Sequence, residues 1–402
     1  PFLAIGEMLK KRGHSVTCAF PAQFEALVSD TGLQFESLGS KFIELLSSDT
    51  GKAAMGGGAR GLRKILAIIR LARRQKPSSR EMIQRQDEII TKLKPDRIIH
   101  NGKAMVPLMW EVDHEQCTLC VSPVPYLHYV KGHTHVAFNS NYGEFLNKYT
   151  FKIADWGLIK TVISSARWLG KKKLSKKEVK KALRRHKIIY TISPSLFSRP
   201  PYWPKNMQVL GYQEREKATN WSPDPDLEAF IAAHDKILFV TFGSMLNPDP
   251  EVKTRIILDV LQDQHIPAII NTAAGGLIQP RGYRNELVYF VSSIPYDWIL
   301  PRVYAAMHHG GSGTTHLAIK YGCPTMIIPH IIDQFVWNKM IFEAGIGPLG
   351  IQIGKINQRN IAPKIMELMH SQNFFEKTKA ISDVMLRENF EEEIYQAVIN
   401  SV

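Results

Sequence analysis

The sequence predicts an α/β protein of two domains, each with a parallel sheet covered by helices. Short apolar runs alternate with helix-like segments along most of the chain, an alternation typical of parallel sheets. The same pattern starts again after Lys236. With 402 residues, of which 44% are hydrophobic, the chain is long enough to bury two cores of about 200 residues each.

The strands are predicted from apolar runs that end at polar or turn-forming residues. In the first domain these runs are residues 15–20, 97–100, 117–122 and 188–193. In the second domain they are residues 237–242, 268–271, 287–291, 303–307 and 325–328. Residues 211–226 are polar, contain prolines and show no apolar period, which is typical of a linker. We therefore predict domains at residues 1–210 and 227–402.

The most informative motif follows the fourth predicted strand of the second domain. It reads His308-His309-Gly310-Gly311-Ser312-Gly313-Thr314-Thr315 and leads into a helix-like segment. Backbone N–H groups at a helix N-terminus bind anions, and His309, Ser312 and Thr314 add side-chain donors. The spacing lacks the Lys-Ser/Thr ending of a P-loop and the third glycine of the dinucleotide fingerprint. The motif therefore favours a diphosphate, with a structural turn as the alternative.

A carboxylate and an amide follow the next predicted strand. Asp333 and Gln334 come shortly after residues 325–328 and open a helix-like segment. Asp accepts two hydrogen bonds, and Gln both donates and accepts, so the pair suits the hydroxyls of a sugar. A helix N-cap is the alternative for Asp333, and both roles can hold at once.

These residues resemble the donor signature of family 1 glycosyltransferases, most closely the sterol and macrolide glucosyltransferase branch. The similarity is carried by the glycine run and by Gly322-Cys-Pro324-Thr, Asp333-Gln334-Phe-Val-Trp337 and Gly345-Ile-Gly347-Pro348. It continues upstream in Val240-Thr-Phe-Gly243-Ser244-Met, in Ile294-Pro295-Tyr296-Asp297-Trp298 and in the first residues of the chain. The resemblance is specific in the C-terminal half and loose between about residues 40 and 200.

The resemblance implies a GT-B fold, in which two Rossmann-like domains have parallel sheets facing a central cleft. It places the nucleotide-sugar donor in the C-terminal domain and the acceptor in the N-terminal domain, with the last helix able to return to the N-terminal domain. The implied diphosphate-binding residues are His309, Gly311, Ser312, Gly313 and Thr314, of which His309 would also stabilise the leaving group. The implied sugar-binding residues are Asp333 and Gln334. The implied uridine-binding residues are Gly243, Ser244, Ile294 and Tyr296.

The sequence predicts neither a metal nor another cofactor. The helix terminus, His309 and the hydroxyls of Ser312 and Thr314 can offset the charge that develops on a departing diphosphate. Asp224-Pro-Asp226 has the spelling of a metal-binding Asp-x-Asp motif, but a turn and a helix cap explain it better beside Pro223.

The general base is expected upstream of Pro1. In the resembling family it is an Asp or His three residues before the proline that corresponds to Pro1, so we also expect the first strand to be missing from the sequence given. Within the chain, four histidines could line an acceptor cleft: His100, His128, His133 and His135. We expect His14, in an Arg-Gly-His turn, to be structural.

The formal net charge of +14 is concentrated in two segments, residues 60–80 and 167–187. Solvated helix faces are one explanation, and nucleic-acid binding is disfavoured because no recognition motif accompanies the charge. Attraction to an anionic membrane surface is the third explanation. Each favourably placed Lys or Arg would contribute about 1 kcal/mol of binding free energy. Both segments fall in the half assigned to the acceptor. We therefore expect a lipid acceptor.

These observations predict an inverting, metal-independent transferase that moves a hexose, glucose by default, from a UDP-sugar to a hydroxyl of a sterol or other membrane lipid. Three alternatives are a transferase for a soluble macrolide or polyketide, another enzyme such as a sugar-nucleotide epimerase, and a non-catalytic nucleotide-sugar-binding subunit. Four cysteines, no signal peptide and no apolar run of transmembrane length predict a cytoplasmic, peripherally membrane-associated protein.

Overall fold

The computed structural model describes residues 1–41, 62–138, 141–215, 221–247 and 249–400, and for residues 62–76 it describes the backbone alone. The chain forms two compact units. The N-terminal unit contains residues 1–41, the described residues from 70 to 215 and the described residues from Asn389 onward. The C-terminal unit contains residues 62–69 and the described residues from Trp221 to Glu388.

The N-terminal unit alternates helices and parallel strands. Up to residue 209 the elements are α1 Phe2–Lys11, β1 Thr17–Phe20, α2 Glu25–Ser29, β2 Gln34–Ser37, α3 Leu62–Leu93, β3 Ile98–His100, α4 Met105–Asp113, β4 Thr118–Ser122, α5 Glu144–Trp168, α6 Lys176–Arg185, β5 Lys187–Tyr190 and β6 Met207–Val209. Strands β1 and β2 pair with each other, and the other four form a sheet in the order β3-β4-β5-β6. Every pairing is parallel.

The C-terminal unit has one five-stranded parallel sheet in the order β11-β10-β7-β8-β9. Its elements are α7 Pro225–Ala232, β7 Leu238–Thr241, α8 Pro250–Asp263, β8 Ala268–Asn271, β9 Val288–Val291, α9 Tyr296–Ile299, β10 Ala305–His308, α10 Ser312–Lys320, β11 Thr325–Ile327, α11 Ile332–Ala344, α12 Gln358–His370 and α13 Gln372–Met385. The last helix of the chain is α14 Glu391–Ile399.

Both faces of the five-stranded sheet are covered by helices. Along β7, Leu238 and Val240 pack in one core cluster with residues of α8 and α12, whereas Phe239 packs in a second cluster with residues of α7, α9 and α10. This alternation follows from the two-residue period of side chains along a strand. Because both faces are buried, the strands appear in the sequence as continuous apolar runs.

All nine predicted strands are present, with ends that lie within three residues of the ends of the apolar runs. Strands β2 and β6 were not predicted. Residues Gln34–Ser37 are only partly buried or exposed, and Met207–Val209 alternate buried, exposed and buried. Each forms one edge of its sheet and carries no continuous apolar run, so the sequence gives little signal there. None of the described helices is both long and apolar enough to cross a membrane.

The last helix, α14, packs against the N-terminal unit. Ile394 is fully buried in a cluster that includes Ile5 and Leu9 of α1. At the amino end of α14, Arg12 forms ion pairs with Glu391 and Glu392. At its carboxyl end, Arg97 donates to the carbonyls of Val398 and Ile399, each at 3.2 Å, and Lys187 donates to the carbonyl of Ala397 at 3.3 Å. These cations satisfy carbonyls that have no partner within a helix.

We expect Ile394→Ala to lower the free energy of unfolding by about 2–4 kcal/mol, because it removes a fully buried side chain from this cluster. Chemical denaturation monitored by circular dichroism measures the effect. The matched control is Glu393→Ala, whose side chain is exposed on the same helix and whose loss should cost less than about 0.5 kcal/mol. Equal stabilities of the two variants would contradict the docking of α14.

Candidate functional site

The candidate site lies at the carboxyl edge of the five-stranded sheet. Across this edge the last residues of the strands are neighbours in register: Ile327, His308, Thr241, Asn271 and Val291. The chain runs from β7 to β9 toward one side of the sheet, then returns through β10 and β11 on the other. Parallel sheets bind ligands at this reversal, outside the carboxyl ends of the strands. Here the reversal lies between β7 and β10.

The predicted diphosphate-binding residues follow β10. Gly311 caps the amino end of α10, and the first helical backbone bond there runs from the Thr315 N–H to the Gly311 carbonyl at 2.9 Å. The preceding amides, those of Ser312, Gly313 and Thr314, have no intrahelical acceptor at this position of a helix. They are therefore available to an anion at the amino end of α10, where the helix dipole is positive.

Gly310 makes this turn possible. Its φ is +88°, a left-handed conformation that L side chains rarely adopt. A Cβ at this position would lie 2.5 Å from Cγ2 of Ile327 in the neighbouring strand. Gly310, the first glycine of the run, is therefore required both by the backbone turn and by close packing.

His309 lies between two other glycines. A Cβ on Gly243 would stand 2.9 Å from Cε1 of the His309 ring, and a Cβ on Gly311 would stand 2.5 Å from its Nε2. The ring is only 7% exposed. Gly243 follows β7, whereas Gly311 follows β10, so the imidazole occupies the space between the two strand ends. Any side chain at either glycine would displace it.

Burial keeps the histidines of this edge neutral. It lowers the pKa of His309 to about 4, an effect that the backbone of Thr241 partly offsets. Burial also lowers the pKa of His316 to about 4 and that of His330 to about 3. The pKa of His308 lies well below its ordinary value for the same reason. At neutral pH, His309 can therefore act as a single N–H donor or acceptor, but not as a cation.

Three ring nitrogens at this edge are buried without a hydrogen-bond partner among the described residues: Nε2 of His308, Nδ1 of His309 and Nε2 of His330. In His308 and His330 the hydrogen bond of the other ring nitrogen, Nδ1, fixes the tautomer. Nδ1 of His308 accepts the Gly310 N–H at 3.0 Å, so the proton is on Nε2. Nδ1 of His330 donates to the Ile328 carbonyl at 2.8 Å, so its Nε2 is an acceptor. Sequence reasoning missed His330, which comes one residue after a proline with no recognisable motif.

Gln334 has a structural task that the sequence did not reveal. Its side-chain oxygen accepts the backbone N–H groups of His330 at 2.7 Å and Ile331 at 3.1 Å. The predicted double role of donor and acceptor is therefore wrong in part, because both lone pairs of this oxygen are engaged and only the NH₂ group is left for a ligand. The N-cap of α11 is Ile331, so Asp333 lies within the first turn of the helix and is not its cap.

The predicted uridine-binding residues lie after β7 and β9. Gly243 has φ +53° and donates its N–H to Oγ1 of Thr241 at 3.2 Å. That hydroxyl also lies 2.9 Å from the phenol oxygen of Tyr296, whose pKa is raised by burial. Ser244 is exposed, and the Ile294 side chain is buried in the core. Thr241 thus links the two loops, a role that its position within an apolar run concealed.

Asp224, the first residue of the possible Asp-x-Asp motif, caps α7. Its carboxylate accepts the N–H of Asp226 at 2.9 Å. Within the described part of the chain, no three His, Cys, Asp or Glu side chains are grouped so as to hold a metal ion.

The candidate acceptor histidines lie in the N-terminal unit, and their rings are engaged there. Nδ1 of His100 lies 2.8 Å from the Asn101 carbonyl, and its Nε2 lies 3.1 Å from Nε2 of His186. Nδ1 of His128 lies 2.6 Å from the phenol oxygen of Tyr190. Burial lowers the pKa values of both His100 and His128 to about 4. His100, with both nitrogens occupied, is a poor candidate for a general base.

The remaining two candidates also have local partners. His133 stacks on Tyr126 at a ring-centroid distance of 4.2 Å, and Nδ1 of His135 accepts the Ala137 N–H at 3.2 Å. His14 lies 3.2 Å from the phenol oxygen of Tyr395, a contact with α14 that accords with the structural role expected for it.

The depressed histidine pKa values predict that the protein loses stability in mild acid. Unfolded histidines take up protons below about pH 6.5, whereas folded His309 and His316 do so only below about pH 4. The folded state is therefore fully favoured above about pH 6.5 and loses stability as the pH falls toward 4. The expected slope is about 1.4 kcal/mol per pH unit for each histidine that stays neutral. Denaturation measured between pH 7.5 and 4.5 tests this, and a flat profile would contradict the burial.

Comparison with known proteins finds similar sequences. Residues 279–400 match a family model described as the C-terminal domain of proteins like the erythromycin biosynthesis protein CIII. A sterol 3-beta-glucosyltransferase of Arabidopsis thaliana, UGT80B1, is 27% identical over 92% of the chain, which spans 61% of that relative. A sterol 3-beta-glucosyltransferase of Debaryomyces hansenii is 26% identical over 97% of the chain, which spans only 25% of it.

Solved structures extend the similarity to the fold. The glycotransferase of kitacinnamycin has a TM-score of 0.69 at 13% identity, with 99% of this chain and 95% of that chain covered. The calicheamicin glycosyltransferase CalG4 has a TM-score of 0.68 at 17% identity, covering 100% of this chain and 96% of that one. The predicted GT-B fold is confirmed. In sequence the chain is similar to sterol 3-beta-glucosyltransferases, and in fold it is similar to solved glycosyltransferases.

Proposed function

We propose that the chain transfers glucose from UDP-glucose to a hydroxyl of a sterol or another membrane lipid, with inversion at the anomeric carbon. The observation that carries the proposal is the His309 ring held between Gly243 and Gly311, beside the open amino end of α10. The choice of glucose and sterol follows the relatives, which are named sterol 3-beta-glucosyltransferases. The chain spans 61% and 25% of the lengths of these two relatives, so the activity of the whole relatives is a proposal for this chain.

The amino end of α10 would bind the diphosphate and stabilise it as the leaving group. The backbone amides of Ser312, Gly313 and Thr314 point to this end, and the helix dipole adds roughly half a positive charge. The hydroxyls of Ser312 and Thr314 are further donors. Neutral His309, whose Nε2 faces Gly311, would add one N–H donor. Fixed dipoles of this kind stabilise developing negative charge without reorganisation during the reaction.

The loops beside α10 would hold the rest of the donor. Asp333, in the first turn of α11, would accept hydrogen bonds from sugar hydroxyls, and Gln334 would donate through its NH₂ group. Main-chain groups of Gly243, Ser244, Ile294 and Tyr296 would bind the uracil, since the side chains of the last two are committed to the core. The proposal assigns the diphosphate charge to protein donors and requires neither a metal ion nor another cofactor.

The acceptor would be bound by the N-terminal unit and drawn from an anionic membrane surface. In the first basic segment, residues 60–80, the structure does not describe the side chains of residues 60–76. The second segment includes α6, where cations form one face: Lys177, Lys180, Lys181, Arg184 and Arg185 line a common groove. This face supports the predicted attraction to anionic lipid. No general base is assigned among the described residues.

A soluble macrolide or polyketide acceptor is the second candidate. It is favoured by the match of residues 279–400 to the erythromycin-type family model and by the calicheamicin glycosyltransferase fold. Assays with UDP-glucose and two acceptors, a sterol in liposomes and a soluble polyketide alcohol, discriminate the two. Binding of UDP-glucose without transfer to any alcohol would instead indicate a non-catalytic nucleotide-sugar-binding subunit.

We expect His309→Ala to lower turnover with UDP-glucose more than tenfold while the circular dichroism spectrum stays unchanged. The variant removes one donor from the leaving-group site, and the loss of a single such donor typically costs a factor of 10² or more. The control is His370→Ala, an exposed histidine on α12 of the same unit. Wild-type turnover in His309→Ala would remove this residue from the mechanism.

Gln334→Glu separates the structural role of this residue from its sugar contact. The carboxylate can still accept the N–H groups of His330 and Ile331, but it can no longer donate to a sugar hydroxyl. We expect the KM for UDP-glucose to rise at least about fivefold, while inhibition by UDP, which has no sugar, changes less than about twofold. Parallel losses for both ligands would show that Gln334 does not contact the sugar.

A further inference from the structure

Many large apolar side chains are exposed in the N-terminal half of α5 and in the residues just before it. Six of the seventeen exposed large hydrophobic residues in the described part of the chain fall between residues 142 and 156. They are Tyr142, Phe145, Leu146, Tyr149, Ile153 and Trp156, with Phe145 73% exposed and Trp156 55% exposed. Single exposed hydrophobic residues are common on protein surfaces, but a concentrated group marks an interaction site.

These side chains form one stripe along the helix. Phe145, Tyr149, Ile153 and Trp156 recur every three or four residues, which places them on one face. Other residues of the helix pack within the N-terminal unit. Phe151 is buried, and farther along the helix Ile159 and Val162 belong to a core cluster shared with α4 and α6. The stripe is therefore a second apolar face that the N-terminal unit leaves open to solvent.

Lysines flank the stripe and contact its aromatic rings. The ammonium of Lys152 lies 4.7 Å from the ring centroid of Tyr149, and that of Lys160 lies 5.0 Å from the ring of Trp156. Aromatic rings with lysines beside them are typical of helices that lie at the level of lipid headgroups. Acidic residues are few on α5: Glu144 forms an ion pair with Lys131, and Asp155 is the second.

Helix α6 adds positive charge beside α5. It packs against α5, and Lys180 is close enough to lower the pKa of Asp155, which burial raises. The cations that line the groove on α6 recur at helical spacing on a single face: Lys177, Lys180, Lys181, Arg184 and Arg185. Of these, Arg185 is engaged with Glu111 and Glu115. Two helices in contact thus carry an exposed apolar stripe and a cationic face.

We propose that α5 and α6 together form a docking surface for an anionic lipid bilayer. The stripe on α5 would insert its apolar side chains at headgroup depth, and the cations of α6 would contact lipid phosphates. Charge favours a bilayer over a second copy of the chain, because two such faces would bring their lysines and arginines together in a protein of net charge +14. The surface deepens the proposed function by giving its membrane acceptor a source, and it rests on that function only for this purpose.

Flotation with vesicles tests the surface. We expect the wild-type chain to float with phosphatidylcholine vesicles that contain phosphatidylserine, and to bind pure phosphatidylcholine far more weakly. Phe145→Ser combined with Trp156→Ser should weaken binding at least tenfold, because both inserted rings are lost. Lys177→Glu combined with Lys181→Glu should weaken binding to the anionic vesicles by a similar factor. The control pair, Val384→Ser with Leu386→Ser, removes two other exposed apolar side chains, from the C-terminal unit, and should bind like the wild type.

Further measurements distinguish a bilayer from the other possible partners of the stripe. If Phe145→Ser with Trp156→Ser changes the sedimentation coefficient of the free protein and not its vesicle binding, the stripe is a contact between copies and the proposal is overturned. If the same variant loses turnover equally on a detergent-dispersed and a vesicle-borne sterol, the stripe binds the acceptor molecule and the proposal is again overturned. A selective loss on vesicles supports it. Vesicle binding without any transferase activity would sink the proposed function while leaving the docking surface intact.

Discussion

The packing of one imidazole between two glycines organises the candidate site. His309 follows β10, and its ring occupies space that a Cβ on either Gly243 or Gly311 would enter. Gly243 follows β7 and Gly311 follows β10, the two strands on either side of the reversal in strand order. The ring therefore fixes the distance between the loop that would hold the nucleoside and the helix terminus that would hold its diphosphate. The glycine run, which the sequence suggests only as an anion-binding turn, also leaves space for the His309 ring.

Neutral histidines give the edge of the sheet its chemical character. Burial depresses the pKa values of His308, His309 and His330, so the positive potential for an anion comes from the α10 terminus and not from imidazolium groups. Each ring also keeps one buried nitrogen without a partner among the described residues. Buried polar atoms in that state cost stability, and such costs are concentrated at functional sites. The arrangement favours a ligand that brings both donors and acceptors.

The sequence predicted the strands and the glycine run well because their signals are local. Apolar runs such as residues 268–271 and the helix-like segment that follows the glycines depend on neighbours along the chain. It could not show that the Gln334 oxygen is used by backbone amides, or that Thr241 links two loops, because these contacts depend on folding. His186 and the exposed stripe on α5 were missed for the same reason. Whether an apolar helix face is covered is decided by its partners and not by its pattern.

The account rests on diphosphate binding at the amino end of α10, and calorimetric titration of UDP and UMP with a metal chelator present tests this most directly. The two ligands share uridine and differ by the phosphate that would contact the helix terminus. We expect UDP to bind at least tenfold more tightly than UMP, because charge-assisted hydrogen bonds are worth roughly 1.5–3 kcal/mol each. Equal affinities, or binding of UDP that disappears with the metal, would contradict the account.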